Sequence, residues 1–140
     1  MAVNTVVKKV IHPKPPVHRM PFVPGILTSG GKTLYVSGCT AIPLYHKHPH
    51  VPEEIAIPQD IKEQAKRVLE NLRLIIEAAG AKMTDIVSIR RYLTNMQEQD
   101  QINEVMWQYF GDSLPTSTTI EVKSLVIKDA RLEIDAIVVF

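Results

Sequence analysis

The sequence predicts an α+β fold in which two long helices lie on one face of a mixed β-sheet. Apolar residues recur at helical spacing in two segments, one starting near Asp60 and the other near Asp100. Segments of alternating or β-branched residues stand before, between and after them. The resulting order, β-β-β-α-β-α-β-β, is typical of a two-layer domain in which each helix buries its apolar stripe on the sheet.

The part of the chain before the first helix predicts three strands and two irregular segments. Thr5–Ile11 is rich in β-branched residues, whereas His12–Pro24 contains five prolines and is therefore expected to be irregular. A second strand begins at Ile26 and Leu27. Gly30-Gly31-Lys32 predicts a hairpin turn into a third strand over Thr33–Ser37.

Both helices have recognisable ends. Asp60 is a typical N-cap, Glu63 stands at the capping-box position, and Gly80 follows as a C′ residue. The second helix is predicted over Asp100–Phe110 and is stopped by Gly111. The first apolar stripe comprises Ile61, Ala65, Val68, Leu69, Leu72, Ile75 and Ile76, and the second comprises Ile102, Val105, Met106, Tyr109 and Phe110. The remaining strands are predicted over Asp85–Asn95, Thr116–Lys123 and Arg131–Phe140.

The composition limits the classes of function. A chain of 140 residues with 45% hydrophobic residues predicts a single domain, residues 1–140, with a real core. The net charge of +1 argues against nucleic-acid binding through a basic patch. Cys39 is the only cysteine, so a reducing compartment is expected. Met1–Val10 lacks the apolar core of a secretory signal and no apolar run is long enough for a membrane span, so we expect a cytoplasmic protein without a membrane partner.

The last strand carries two acidic residues on one face. Glu133 and Asp135 point away from the apolar face and lie next to Ile137 on the opposite side of the strand. Such a pair meets water, meets a partner subunit or lines a site. The same sheet face is predicted to carry Val36, Ile120, Ile137 and Val139 or their neighbours, and we expect other copies of the chain to cover it.

Several short motifs occur in the same order as these elements: Pro21-Phe-Val-Pro-Gly25, Leu34-Tyr-Val-Ser-Gly38, Glu77-Ala-Ala-Gly80, Leu114-Pro115, Ile120-Glu-Val122 and Leu132-Glu-Ile-Asp-Ala-Ile137. In this ordered set the chain resembles the RidA/YjgF family of enamine/imine deaminases. The resemblance implies a chorismate-mutase-like homotrimer whose sheets form an inner barrel, with clefts between subunits. It also implies hydrolysis of 2-iminoacids and their enamine tautomers to 2-ketoacids and ammonia, with no metal or organic cofactor.

The resemblance also implies a set of cleft residues. Glu133 matches the family's cleft glutamate, Ser37 and Gly38 match its Ser-Gly pair, and Asn103 matches the asparagine of the second helix. Phe22 stands in place of the tyrosine of a Pro-Tyr motif and is expected to form a wall of the pocket. A glutamate suits the chemistry because the reaction needs a group that positions water and moves its proton.

Two cleft positions depart from the family pattern. Ser117 stands where the family has an arginine, and Thr119 stands where it commonly has a cysteine. Both are expected to contact substrate, but a hydroxyl cannot replace a guanidinium that binds a carboxylate as a bidentate fork. The ligand is therefore different, or another cation takes over. Arg90, Arg91 and Arg131 are the candidates, and the sequence does not choose among them.

Other residues have two interpretations each. Glu133 is either catalytic or a structural carboxylate that pairs at an interface. Cys39 follows Gly38 at the edge of the predicted cleft and is expected to be a small buried side chain rather than a nucleophile. His46, His48 and His50 would share one face of a strand and suit a metal, but Pro49 favours an exposed irregular loop at the cleft mouth, so no metal site is predicted.

Three functions follow from these observations. The first is a cofactor-free hydrolytic deaminase of an enamine or imine, such as a 2-iminoacid or a 2-aminomuconate-like acid, with substrate choice altered by the missing arginine. The second is a trimer that binds a small metabolite or acts in regulation without catalysis. Ribonuclease activity, attributed to some members of the family, is the least favoured because the charge is nearly neutral.

Overall fold

The computed structural model describes residues 5–140 and confirms the predicted order of elements. The strands and helices are β1 (Val7–Ile11), β2 (Gly25–Ser29), β3 (Thr33–Cys39), α1 (Ile61–Ala78), β4 (Ile86–Leu93), α2 (Gln99–Phe110), β5 (Thr116–Glu121) and β6 (Leu132–Val139). Short 3₁₀ helices at Met83–Asp85 and Met96–Glu98 precede β4 and α2. Residues 1–4, which begin the segment expected to lack a secretory signal, lie outside the described residues.

The strands form two sheets. The larger has the order β3-β6-β4-β5 and is mixed, because β4 and β5 are parallel and the other pairs are antiparallel. The predicted hairpin between β2 and β3 is wrong, because β2 pairs with β1 in a separate two-stranded sheet. Gly30 and Gly31, with φ of 68° and 76°, turn the chain from one sheet to the other. A β-carbon on Gly31 would lie 2.8 Å from the carbonyl oxygen of Phe140, so this turn packs closely against the end of the chain.

Helix α1 begins and ends where the sequence predicts. The N-cap Asp60 accepts a hydrogen bond through Oδ1 from the backbone N–H of Lys62 at 3.1 Å. Glu63 pairs with Nζ of Lys66 at 3.0 Å instead of completing a capping box. Gly80 adopts φ of 86°, in agreement with its predicted position after the helix. Neither helix of residues 5–140 has the length and apolar composition needed to cross a bilayer.

Both helices pack on one side of the larger sheet. The alternation in β6 is confirmed, since Leu132, Ile134, Ala136 and Val138 are buried in the main core. The other face is open: the exposed fractions of Tyr35, Ile120 and Ile137 are 76%, 43% and 36%.

Two residues predicted on the open face are buried instead. Val36 lies opposite Ala136 in the β3–β6 register and joins the core beneath the helices. Its neighbour Tyr35, opposite Ile137, takes the open side, because successive residues of a strand face opposite ways. Val139 is only 6% exposed. Tyr35 and Ile137 therefore define this part of the uncovered surface.

Candidate functional site

Glu133 lies in the middle of the larger sheet, on β6, between β3 and β4. It stands opposite Tyr92 of β4, and the β3–β6 register shifts between Val36 and Cys39, next to it. This irregularity brings the backbone of Gly38 against the glutamate. A β-carbon on Gly38 would fall against Oε1 of Glu133 and lie 3.0 Å from Cδ. The absence of a side chain at position 38 therefore makes room for the carboxylate.

The surroundings of Glu133 favour its neutral form. Burial, and after it the negative charge of Asp135, raise the pKa of Glu133 above its ordinary value. Asp135 already has partners, because it accepts hydrogen bonds from Nε of Arg90 at 2.9 Å and from the hydroxyl of Tyr92 at 3.1 Å. Within residues 5–140 the Glu133 carboxylate makes no hydrogen bond or ion pair. Of the two acidic residues on this strand face, only Glu133 is left available to a ligand.

A cavity of about 190 Å³ opens beside Glu133. Gly38, Cys39 and Asn71 contribute to its wall, as do the side chains of Val126 and Ile127. Three of the predicted site residues, Gly38, Cys39 and Glu133, therefore meet at one place. Ser37 is exposed on the neighbouring backbone and does not line this cavity.

Cys39 is buried, as the sequence predicts. Its exposed fraction is 5%, and its Sγ lies 3.6 Å from the carbonyl oxygen of Ser37. Burial, followed by the charge of Glu133, raises the pKa of the Cys39 thiol to about 11. A thiol is nucleophilic only as the thiolate, so these surroundings are unfavourable for covalent catalysis at Cys39.

The histidine loop borders the same cavity. His46, His48 and His50 all line it, and their rings lie side by side with centroid separations of 4.7, 5.1 and 4.8 Å. The predicted irregular loop is confirmed, because these residues belong to no helix or strand. The loop brings the three imidazoles together, with one potential ligand atom of each within 4.8 Å of the other two, and the expectation of no metal site stays a prediction.

A second polar group lies on the opposite, helix-facing side of the sheet. Arg91 is 6% exposed and donates from Nε and Nη2 to Oγ1 of Thr119, at 2.9 and 2.8 Å. It also donates from Nη1 to Oδ1 of Asn103 on α2, at 2.5 Å. Two predicted cleft residues are thus joined by one of the three candidate arginines. Burial lowers the pKa of Arg91 from its ordinary value, but an arginine remains charged at neutral pH.

The other two candidate arginines have different partners. The Arg90 side chain is 62% exposed and pairs with Asp135 on the open face. Arg131 pairs with Glu98 at 2.8 Å and also donates to the carbonyl oxygen of Gln59. Neither lines the cavity at Glu133. Among the three candidate arginines, Arg91 is therefore the one that bonds to predicted cleft residues, namely Thr119 and Asn103.

Ser117 and Phe22 belong neither to the cavity at Glu133 nor to the hydrogen-bonded group of Arg91. Ser117 is half-buried on β5 and pairs with Ile89 in the register, two residues before Thr119. Phe22 lines a separate cavity of about 390 Å³ formed by the proline-rich segment. The backbone N–H of Val23 donates to the carbonyl oxygen of Pro115 at 3.1 Å, so the Phe22 segment is anchored where β5 begins.

One protomer does not bring the two polar groups together. In the β4–β6 register Arg91 stands opposite the buried Ile134, while its neighbour Tyr92 stands opposite Glu133 on the open side.

Asn71 was not identified as a site residue from the sequence, although it fixes the loop after β3 by donating to the carbonyl oxygens of Thr40 and Ile42, at 3.0 and 2.7 Å. The only available signal was its polar character next to the apolar stripe of α1.

Comparison with known proteins assigns the chain to a family. Residues 12–140 match the family model described as Endoribonuclease L-PSP. The chain belongs to the RidA/YjgF family. A RutC family protein of Pyrococcus abyssi is 45% identical over 78 residues, which are 56% of this chain and 61% of that protein.

Two further relatives of the RidA/YjgF family cover more of the chain. A 2-iminobutanoate/2-iminopropanoate deaminase of Dermatophagoides farinae is 32% identical over 109 residues, covering 78% of this chain and 79% of that one. The crystal structure of Escherichia coli TdcF with bound serine has a TM-score of 0.66 and 32% identity, and the match covers 89% of this chain and 92% of that chain.

Proposed function

We propose that this protein hydrolyses 2-iminoacids and their enamine tautomers to 2-ketoacids and ammonia, in clefts between the subunits of a homotrimer. The observation that carries the proposal is the half-buried Glu133 carboxylate, held beside Gly38 without a protein partner among the described residues. The names of the relatives support the same chemistry: one is a 2-iminobutanoate/2-iminopropanoate deaminase. TdcF binds serine, a small amino acid with a carboxylate.

The proposed cleft joins the two polar groups across a subunit boundary. Glu133 lies on the open face, whereas Arg91 bonds to Thr119 on β5, an edge strand of the sheet, so a neighbouring protomer whose β5 edge meets this open face would bring its Arg91 group towards Glu133. The exposed apolar surface of Tyr35, Ile120 and Ile137 supports self-association, since apolar patches of this kind usually mark interaction sites. 2-Aminomuconate-like acids are alternative substrates, because they also carry an enamine and a carboxylate.

Arg91 takes the role of the arginine that is missing at Ser117. Its bonds to Thr119 and Asn103 use one N–H on each of its three nitrogens, so one N–H remains on each Nη atom. Two N–H groups on one planar guanidinium suit the two oxygens of a substrate carboxylate. Thr119 and Asn103 orient the guanidinium, and the substrate's reacting carbon then lies towards Glu133.

Glu133 moves the protons of the reaction. As the carboxylate it accepts a proton from the attacking water while the water oxygen bonds to C2 of the imine, and it passes that same proton to the imine nitrogen, which restores the carboxylate. The carbon–nitrogen bond of the resulting carbinolamine then breaks, and ammonia and the 2-ketoacid leave. An enamine first gains a proton at C3 from the neutral carboxyl. A raised pKa suits both roles, because it brings the neutral and charged forms closer in abundance near neutral pH.

The test is the rate of ammonia release from 2-iminoacids generated in the assay by a separate amino-acid-oxidising enzyme. We expect the protein to accelerate release above hydrolysis in buffer, and the Glu133→Gln variant to lose that acceleration. If the wild type gives no acceleration but retains a 2-ketoacid in native mass spectrometry, the non-catalytic binding function replaces the deaminase. Equal rates for wild type and Glu133→Gln would remove the assigned role of Glu133.

A further inference from the structure

Three imidazoles meet in the loop between β3 and α1. One potential ligand atom from each of His46, His48 and His50 lies within 4.8 Å of the other two. His48 is exposed, while His46 and His50 are half-buried against the cavity that Glu133 also lines. The proposed deamination gives these residues no role.

The ring of His46 keeps one nitrogen available for a metal ion. Its Nδ1 lies 3.0 Å from the carbonyl oxygen of Pro43, and a carbonyl can only accept a hydrogen bond. Nδ1 therefore carries the proton, which leaves the lone pair on Nε2. Metal-ligating histidines usually donate their other ring N–H in this way, because the bond fixes both the tautomer and the direction of the ring.

The loop that carries the histidines is tied at both ends. Before it, Asn71 of α1 holds the carbonyl groups of Thr40 and Ile42. After it, Oε2 of Glu54 accepts a hydrogen bond from the backbone N–H of Lys47 at 2.7 Å. These contacts limit how far the imidazoles can separate, so less conformational entropy is lost when a ligand joins them.

We propose that His46, His48 and His50 form a binding site for a divalent transition-metal ion, with Zn²⁺ as the best-fitting probe. Imidazole nitrogens bind Zn²⁺ at about 2.0–2.1 Å, which places the nitrogens of a tetrahedral site roughly 3.3 Å apart. The spacing in the loop is within 4.8 Å, so modest ring rotations close the site.

An ion held by three neutral histidines keeps its full positive charge and an open coordination position. Because the three rings border the cavity of Glu133, that charge would lie in a cavity that none of the three candidate arginines reaches. The ion therefore offers a binding point for a water molecule or an anionic group that enters the cavity. The inference concerns metal binding and stands apart from the proposed deamination.

The test is Zn²⁺ binding to the untagged, full-length protein after treatment with a chelator. Isothermal titration calorimetry should give one ion per chain. Co²⁺ in place of Zn²⁺ should give the visible absorption of a four-coordinate site. The variant with His48→Gln and His50→Gln should bind at least ~10–100-fold more weakly, since the loss of a group that only hydrogen-bonds to a metal ligand already has an effect of that size.

The matched control is the variant with His12→Gln and His18→Gln, which removes two exposed histidines from a different loop. It should bind Zn²⁺ like the wild type. The inference is overturned if the wild type binds no ion at a ratio of one per chain. It is also overturned if removal of His48 and His50 leaves the affinity unchanged, or if the His12 and His18 control loses it equally.

Discussion

The carboxylate of Glu133 occupies the space beside Gly38 that a β-carbon would need. The two residues come from neighbouring strands, and the register shift in β3 brings them together. Since the nearest atoms are those of a flexible side chain, a larger residue at position 38 would displace the carboxylate rather than the backbone. The glycine at position 38 therefore determines where the Glu133 carboxylate, the assigned acid–base group, can lie.

Gly38→Ala should therefore reduce deaminase activity by at least about tenfold while changing the free energy of unfolding little, because the carboxylate moves and the core does not. Steady-state kinetics and urea unfolding measure the two effects. Gly25→Ala is the matched control: its β-carbon would meet only Cβ of Ile11, at an ordinary 3.8 Å. Equal activity of the two variants would show that the position of Glu133 does not depend on Gly38.

Glu133→Gln should lower kcat by ~10²–10⁴-fold, the usual contribution of a general acid–base group. It should also stabilise the protein at neutral pH. Because the folded state raises the pKa of Glu133, the carboxyl favours folding while it is protonated, and that contribution is lost as the pH rises through the raised pKa. Glutamine imitates the protonated form and keeps the contribution at every pH.

Thermal unfolding at two pH values measures this stabilisation. The advantage of Glu133→Gln over wild type should be present at pH ~7 and disappear near pH ~4, where the carboxyl is largely protonated even in the unfolded chain. The exposed Glu53→Gln is the control and should show no such difference. A wild type that is more stable than Glu133→Gln at neutral pH would mean that the carboxylate has a stabilising partner.

Much of the fold follows from the sequence because its signals are local. The N-cap Asp60 and the glycine after α1 are defined by neighbouring residues, and so is the alternation in β6. The pairings of β2 with β1 and of β3 with β6 depend instead on residues distant in sequence, so the turn at Gly30 predicts a hairpin that does not form.

The site is less predictable for the same reason. The resemblance identifies Glu133 and Gly38, but no local pattern shows that Arg91 donates to Thr119, a residue 28 positions away on the adjacent strand. The convergence of His46 and His50 likewise depends on the path of an irregular loop, which periodicity does not describe.

Arg91→Met should destabilise the fold by about 1–3 kcal/mol, because Thr119 and Asn103 lose a charged donor inside the protein. The exposed Arg67→Met should stay within about 0.5 kcal/mol of wild type, so chemical denaturation of the two variants isolates the buried contacts. Equal stability of the two variants would contradict the importance of these hydrogen bonds.

Arg91→Lys tests the assigned contact with the substrate carboxylate, since lysine keeps the charge but lacks the planar fork. We expect KM to rise for a 2-iminoacid and to stay near the wild-type value for an imine that lacks the carboxylate. Steady-state kinetics on both substrates measures the difference. Equal losses on the two substrates would assign Arg91 a structural role instead.

The open sheet face should be the surface through which protomers associate. Ile137→Lys places a charge on this face and should convert a trimer into monomers, because burying an unpaired charge costs several kcal/mol. Leu74→Lys, a change of an equally apolar residue that is 52% exposed on α1, should leave the trimer intact. Sedimentation velocity distinguishes the species. A wild-type protein that sediments as a monomer at micromolar concentration would remove both the trimer and the cleft.

The most direct measurement mixes two proteins with complementary defects, at a 2-iminoacid concentration well below KM. Glu133→Gln and Arg91→Lys subunits are co-expressed, mixed trimers are verified by native mass spectrometry, and ammonia release from a 2-iminoacid is compared with that of each parent variant. If every cleft takes Arg91 from one protomer and Glu133 from the next, random mixing at equal amounts restores about one quarter of the wild-type rate, since each intact group is present with a chance of about one half. Mixed trimers that are no more active than the two parent variants would contradict a catalytic cleft shared between subunits.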